Sequence, residues 1–183
     1  MTSVGKVFPE LDAELQRWIV RQHVFFVASA PLSASGHVNL SPKGLDSFRV
    51  LSPRRVAYLD LTGSGAETAA HLRENGRIAF MFCAFEGPPR VVRLHGRGRV
   101  SSVASMREHF PPLPGERAVI VVDLERISDS CGYGVPLMSF LGERPQLAAW
   151  VDRKDRGEGL DHYRSVNNAV SIDGLPSIAS EEF

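Results

Sequence analysis

The chain has 183 residues, 43% hydrophobic and 23% charged, which is the size and composition of one globular domain able to bury a core. Its 21 Lys and Arg balance its 21 Asp and Glu, so overall charge gives no reason to expect a nucleic acid or an anionic membrane as partner. No stretch approaches the ~20 consecutive apolar residues of a membrane span, and the first residues lack the pattern of a secretory signal.

In chain order, Glu10 to His23 reads as a helix, with Leu11, Leu15, Trp18, Ile19 and Gln22 on one face and charges opposite. Val24 to Ala30 is a short β-rich run that breaks at Pro31. A loop follows to Gly36, then a strand at His37 to Leu40 and a further loop at Ser41-Pro42-Lys43-Gly44. Phe48 to Leu51 and Val56 to Leu61 are strands separated by the turn Ser52-Pro53-Arg54. A helix is expected from Gly65 to Glu74, stopped by Asn75-Gly76, both of which tolerate a left-handed conformation. Arg77 to Ala84 is almost continuously apolar and belongs deep in the core.

After the turn Glu86-Gly87-Pro88-Pro89, Arg90 to Val100 alternates strictly. Val92, Leu94, Gly96 and Gly98 form one face; Arg93, His95, Arg97 and Arg99 form the other, as in a half-buried barrel strand. Ser102 to Phe110 reads as helix and Ala118 to Leu124 as a buried strand. The tail carries two helical segments, Pro145 to Val151 and Gly159 to Asn167. Six or seven short strands with a few peripheral helices make an α+β, mainly β, barrel in a single domain with a helical C-terminal extension over about 137–183.

Four segments offer chemistry. Ser41-Pro42-Lys43-Gly44 places a hydroxyl, an ammonium and a flexible glycine together, a phosphate-facing set, although four isolated residues read more readily as a surface turn with a solvated lysine. Leu61-Thr62-Gly63-Ser64-Gly65-Ala66-Glu67-Thr68 runs from strand to helix, where backbone N–H groups favour anions. It is neither a P-loop nor a GxGxxG fingerprint, and Ser64 and Glu67 have capping-box spacing. Arg90-Val91-Val92-Arg93 places arginines on one strand face, either for a ligand or for solvent. Ser130-Cys131-Gly132-Tyr133-Gly134 suggests a shaped loop, although no histidine adjoins Cys131 to activate it. Cys83 and Cys131 form no CxxC pair, which suits a reducing cytoplasm. The six histidines are scattered, so no metal site is expected.

Taken together, the SPKG segment, the polar turn, the helix Ala69 to Asn75, the core strand Arg77 to Phe82 and the RVVRLHG strand resemble the pyridoxamine 5′-phosphate oxidase-like, FMN-binding split-barrel superfamily. The tail motifs Ser130 to Pro136 and Ser171 to Pro176 are similar to an uncharacterised branch of it. The resemblance implies an antiparallel split β-barrel and a homodimer with FMN at the subunit interface. It also implies an oxidoreductase acting on a small molecule. The residues it assigns to the cofactor are Ser41, Lys43, Leu61, Thr62, Gly63, Ser64, Glu67, Thr68, Arg90, Val91 and Arg93.

Ala66-Glu67-Thr68 stands where the true oxidases carry a Ser-Arg-Lys phosphate clamp, and the tail lacks a counterpart of the residues that grip the vitamin's phosphate. No side chain is expected to act as catalyst, because the flavin carries the chemistry. The deazaflavin F420 is an alternative on the same fold. So is a non-catalytic flavin or haem protein, with His71 or His95 as first candidate for an axial ligand.

Overall fold

The computed structural model describes residues 5–157 and 159–178. It contains eight strands: β1 (Val7–Phe8), β2 (Phe25–Ser29), β3 (Asn39–Lys43), β4 (Phe48–Ser52), β5 (Arg55–Leu61), β6 (Arg77–Cys83), β7 (Val91–Ser101) and β8 (Glu116–Ser130). Four α-helices accompany them: α1 (Ala13–Val20), α2 (Glu67–Glu74), α3 (Gln146–Asp155) and α4 (Leu160–Asn167). A 3₁₀ turn at Ala104–His109 occupies the segment expected to be helical.

All pairings are antiparallel, in the order β3-β2-β6-β7-β8-β5-β4, with β1 added to the far half of β8. β3 and β4 therefore lie at the two ends of the sheet path, although only Gly44–Ser47 separates them in sequence. The barrel is split between them. The connection turns sharply: Leu45 (φ 61) and Asp46 (φ 54) are both left-handed, and Ser47 N–H donates to Gly44 O at 3.3 Å. Leucine rarely adopts that conformation, which costs roughly 1–2 kcal/mol.

Aromatic packing bridges the opening from inside. Phe48 of β4 meets Phe25, Phe80 and Phe82 at ring-centroid distances of 5.3, 5.7 and 5.0 Å. These rings join Leu11, Leu15 and Ile19 of the α1 segment in one core cluster. The expected apolar face of α1 is observed, and the helix starts where Asp12 accepts from Leu15 N–H at 2.8 Å.

β5 and the first half of β8 are buried on both faces. Val56 and Tyr58 point into the barrel, while Ala57 and Leu59 pack outward against Phe110, Val119 and Val121. This explains the unbroken apolar run Ala118 to Val122. β8 continues to Ser130, well beyond the expected end at Leu124, because β7 and then β1 pair with its second half.

Two sequence expectations fail here. Ser41-Pro42-Lys43 belongs to a strand rather than a loop: β3 is an edge strand with one partner, where a proline, which has no N–H to donate, is tolerated. The Ser64–Glu67 capping box does not form: Ala66 is the N-cap of α2, with no side-chain hydrogen bond to the helix. Glu67 instead folds back over Gly65, where a Cβ would lie 2.3 Å from its Oε2.

The register between β7 and β8 shifts between His95 and Gly96, and a Cβ at Gly96 would sit 2.1 Å from the Asp123 carbonyl oxygen. That neighbour is backbone and cannot step aside. Gly96→Ala should therefore destabilise the fold by about 2–3 kcal/mol, visible as a lowered urea midpoint. An unchanged midpoint would mean the bulge is not tightly set.

Candidate functional site

Polar side chains meet at the split. Asn39 and Lys43 alternate with outward residues on β3, so Ser41 shares their face. Lys43 Nζ lies 3.4 Å from Asp60 Oδ1 and 5.8 Å from the Tyr58 ring centre. Asn39 Nδ2 donates to Thr68 Oγ1 at 3.0 Å. The contacts across this seam are made by side chains.

Asp60 is its centre. It sits in β5 between Leu59 and Leu61 with only 2% of its surface exposed. Arg117 closes on it, with Nε 2.9 Å and Nη2 2.7 Å from Oδ2. Burial pushes the Asp60 carboxyl up, but the charges of Arg117 and Lys43 and the hydrogen bonds they donate outweigh it, so it ionises below the usual carboxylate range.

Arg117 also ties the β5–α2 turn. Both Nη atoms donate to Gly65 O at 3.3 Å, and Nη1 donates to Asn168 Oδ1 at 2.8 Å. Asn168 Nδ2 in turn donates to Gly63 O at 3.1 Å. From α4, Arg164 donates to Thr62 Oγ1 at 3.0 Å and to Glu116 O at 2.8 Å. Ser177 Oγ donates to Ala66 O at 3.1 Å. The carbonyls of the turn are thus held from within by β8 and the tail. Among the described residues, no protein group accepts from the N–H groups of Gly63, Ser64 or Gly65.

Two buried groups border the seam. Tyr58 Oη lacks a hydrogen-bond partner among the described residues. Burial raises its pKa well above the ordinary phenol value, the Asp60 charge raises it further, and nearby Thr68 and Arg117 only partly oppose this. His71 Nδ1 lies 2.9 Å from Ser29 Oγ, its Nε2 is unpartnered, and burial lowers its pKa. With none of its surface exposed, His71 is enclosed by protein and offers no haem an open axial position.

The residues singled out from sequence divide into two places. Ser41, Lys43, Thr62, Gly63, Ser64, Glu67 and Thr68 lie along the seam or its turn. Leu61 packs on the other face of β5, in the cluster around Phe110. Arg90, Val91 and Arg93 belong to the β7 end of the barrel, and β2 and β6 separate β7 from β3. Arg90 pairs with Asp129 at 3.1 Å and lies over Trp18 at 5.4 Å, while Arg93 donates to Ser130 Oγ at 3.0 Å. Val91 is buried. His95 is half-buried, with its pKa lowered by burial and then by Arg126 and Arg93.

Asp60, Arg117, Asn168 and Arg164 escaped the sequence reading. One signal was available: an Asp inside an apolar strand requires a cation, and Arg117 opens the apolar run Ala118 to Val122. Nothing local marked Asn168 or Arg164. Among the described residues there is no group of three His, Cys, Asp or Glu side chains placed to hold a metal, and no helix is long and apolar enough to cross a membrane.

Comparison with known proteins adds to this geometry. The family profile for pyridoxamine 5′-phosphate oxidase matches residues 11–131, which takes in β2 to β8 and leaves the tail outside. The pyridoxamine 5′-phosphate oxidase family protein ustO of Aspergillus flavus is 42% identical over 195 residues, covering 94% of this chain and 78% of its own. A solved HupZ variant from Group A Streptococcus is 21% identical with a TM-score of 0.51, covering 65% of this chain and 98% of that one. A solved pyridoxamine 5′-phosphate oxidase candidate from Lactobacillus delbrueckii is 19% identical with a TM-score of 0.51, covering 68% and 98%. At such identities the two structures show a shared fold.

The Asp60–Arg117 pair sets two expectations. Arg117→Leu strands a buried carboxylate and should cost about 3–5 kcal/mol in urea unfolding, part of which Asp60→Asn in the same chain restores. Because the Asp60 pKa is lowered in the folded state, its contribution is complete above the unfolded value near 3.9 and is lost as pH falls below it. The stability of the native protein should drop more steeply below about pH 4 than that of Asp60→Asn; parallel curves would contradict the pairing.

Proposed function

Because this chain belongs to the pyridoxamine 5′-phosphate oxidase family, we propose that it is a flavoprotein that holds FMN along the seam and works as an FMN-dependent oxidoreductase on a small molecule. The observation that carries this reading is the polar seam itself: a lysine, a buried carboxylate–arginine pair and an outward-facing backbone turn on one side of a split barrel. Core positions of this kind would ordinarily be apolar.

The residues fit a flavin phosphate with a weaker grip than a Ser-Arg-Lys clamp. Lys43 and the free N–H groups of Gly63, Ser64 and Gly65 would meet it. Arg117 and Arg164 hold the turn in shape from behind, since their own donors are already directed to Asp60, Gly65, Thr62 and Glu116. Glu67 opposes an anion at the start of α2. Tyr58 keeps its proton across the physiological range and presents Oη as a donor beside Asp60.

FMN, when bound, supplies the electron-transfer chemistry, and the protein supplies position and exclusion of water. The substrate is a small molecule other than pyridoxamine phosphate, because no arginine–histidine pair in the tail matches the grip of the true oxidases. Val91 and Arg93 lie on β7, with β2 and β6 between them and β3, whereas Arg90 lines a cleft that Lys43 also lines; a second copy would bring β7 residues to the flavin. A homodimer with flavin between subunits follows as part of the proposal.

Three measurements test it. Lys43→Ala should weaken FMN binding about tenfold or more, and Glu67→Arg should tighten it by a similar factor, read from quenching of flavin fluorescence. Sedimentation should show a species of twice the 20.1 kDa chain mass. A protein that binds no FMN even as Glu67→Arg would sink the flavin reading; a strict monomer would sink the shared site.

A further inference from the structure

A concave region lies beside the β3–β4 connection. It is a cleft of about 1630 Å³ between the end of α1, the turn before β7 and the segment after β8. Lys43 reaches its rim, but most of its wall is new: Trp18, His23, Phe85, Tyr133, Met138 and Phe140. Aromatic and thioether groups dominate that set. Its four lining carboxylates match four lining Arg and Lys side chains in number, so the cleft carries no net formal charge from them.

The outer wall is a strap, residues 137–144. Two backbone hydrogen bonds hold it, from Met138 N–H to Phe85 O at 2.9 Å and from Phe140 N–H to a Glu86 carboxylate oxygen at 3.1 Å. A flat side-chain contact accompanies them: the Phe140 ring lies on His23 with centroids 3.7 Å apart and planes inclined by 5°. Leu137 and Leu141 on the same strap are 80% and 98% exposed. Gly142, at φ 143 with open space around it, gives the strap a point about which to swing.

A strap that exposes two leucines and buries part of one ring against a solvent-facing histidine gains little from being closed. The parallel stack shows that His23 offers a flat face to an aromatic ring. We propose that this cleft is a binding site for a planar aromatic molecule without net charge, and that Phe140 occupies the ring position on His23 until such a molecule displaces it. Trp18, with the Arg90 guanidinium 5.4 Å from its ring centre, adds a further aromatic surface to the lining of the same cleft.

Menadione, a flat uncharged bicyclic compound, is a suitable probe, with Trp18 emission as the readout in a Trp150→Phe background. Saturable quenching is expected. Phe140→Ala should lower the midpoint at least threefold, because the probe no longer competes with the strap's own ring; Phe140→Leu, which keeps bulk without a flat face, should do likewise. Circular dichroism identifies a variant that has lost its fold, and the other substitution then decides. Quenching that never saturates, or midpoints that stay equal or rise in both variants, overturns the proposal. The same titration on FMN-loaded protein separates it from the flavin reading. Quenching with flavin absorbance still bound supports an independent site, and release of flavin by menadione overturns it.

Discussion

A carboxylate buried inside a β-barrel must be answered, and the answer organises this molecule. Asp60 sits on the inward face of β5, where the alternation would otherwise put an apolar side chain. Leaving it unpaired there would cost several kcal/mol. Arg117 from β8 and Lys43 from β3 converge on it from opposite sides of the split. Once Arg117 is fixed, its remaining donors determine where Gly65 and Asn168 lie, and through them the turn, the start of α2 and the docking of the tail. One interaction thus couples an edge strand, a buried strand, a turn and a segment outside the matched family region.

Most of the barrel could be read from residue order. The alternation of β7, the apolar continuity of β6 and β8 and the Asn75-Gly76 stop are local signals, and local signals survive folding. Gly76 does take φ 71. The errors have local causes too. Two-residue β1 is too short to show a period and exists because β8 offers it an edge. Ser41-Pro42-Lys43 reads as a loop from its residue types, yet an edge strand accommodates it. The capping box failed although its spacing was right, because Glu67 turned to Gly65.

The seam was legible only in part, for a different reason. Lys43 and the turn from Thr62 to Thr68 announce themselves through glycine, hydroxyl and charge within a few residues. Arg117 is more than 50 positions from the turn it holds, and Asn168 more than 100 from Gly63. No periodicity links such positions. The missing arginine and lysine at Glu67 and Thr68 had suggested a depleted site, whereas cations from β8 and α4 stand around the same turn, directed at its carbonyls and at Asp60.

The split itself has a cost that closed barrels avoid: two strand edges with unpaired backbone groups, each a template onto which another chain could add and start an aggregate. Both edges carry deterrents. On β3, Pro42 interrupts the row of donors and Lys43 adds a charge. On β4 the register slips between Val50 and Ser52, and Arg49 is clamped by Asp46 at 2.9 Å beside the left-handed turn. The strained Leu45 and the awkward proline are thus two parts of one arrangement, which lets the molecule keep an opening in its wall without inviting a foreign strand to fill it.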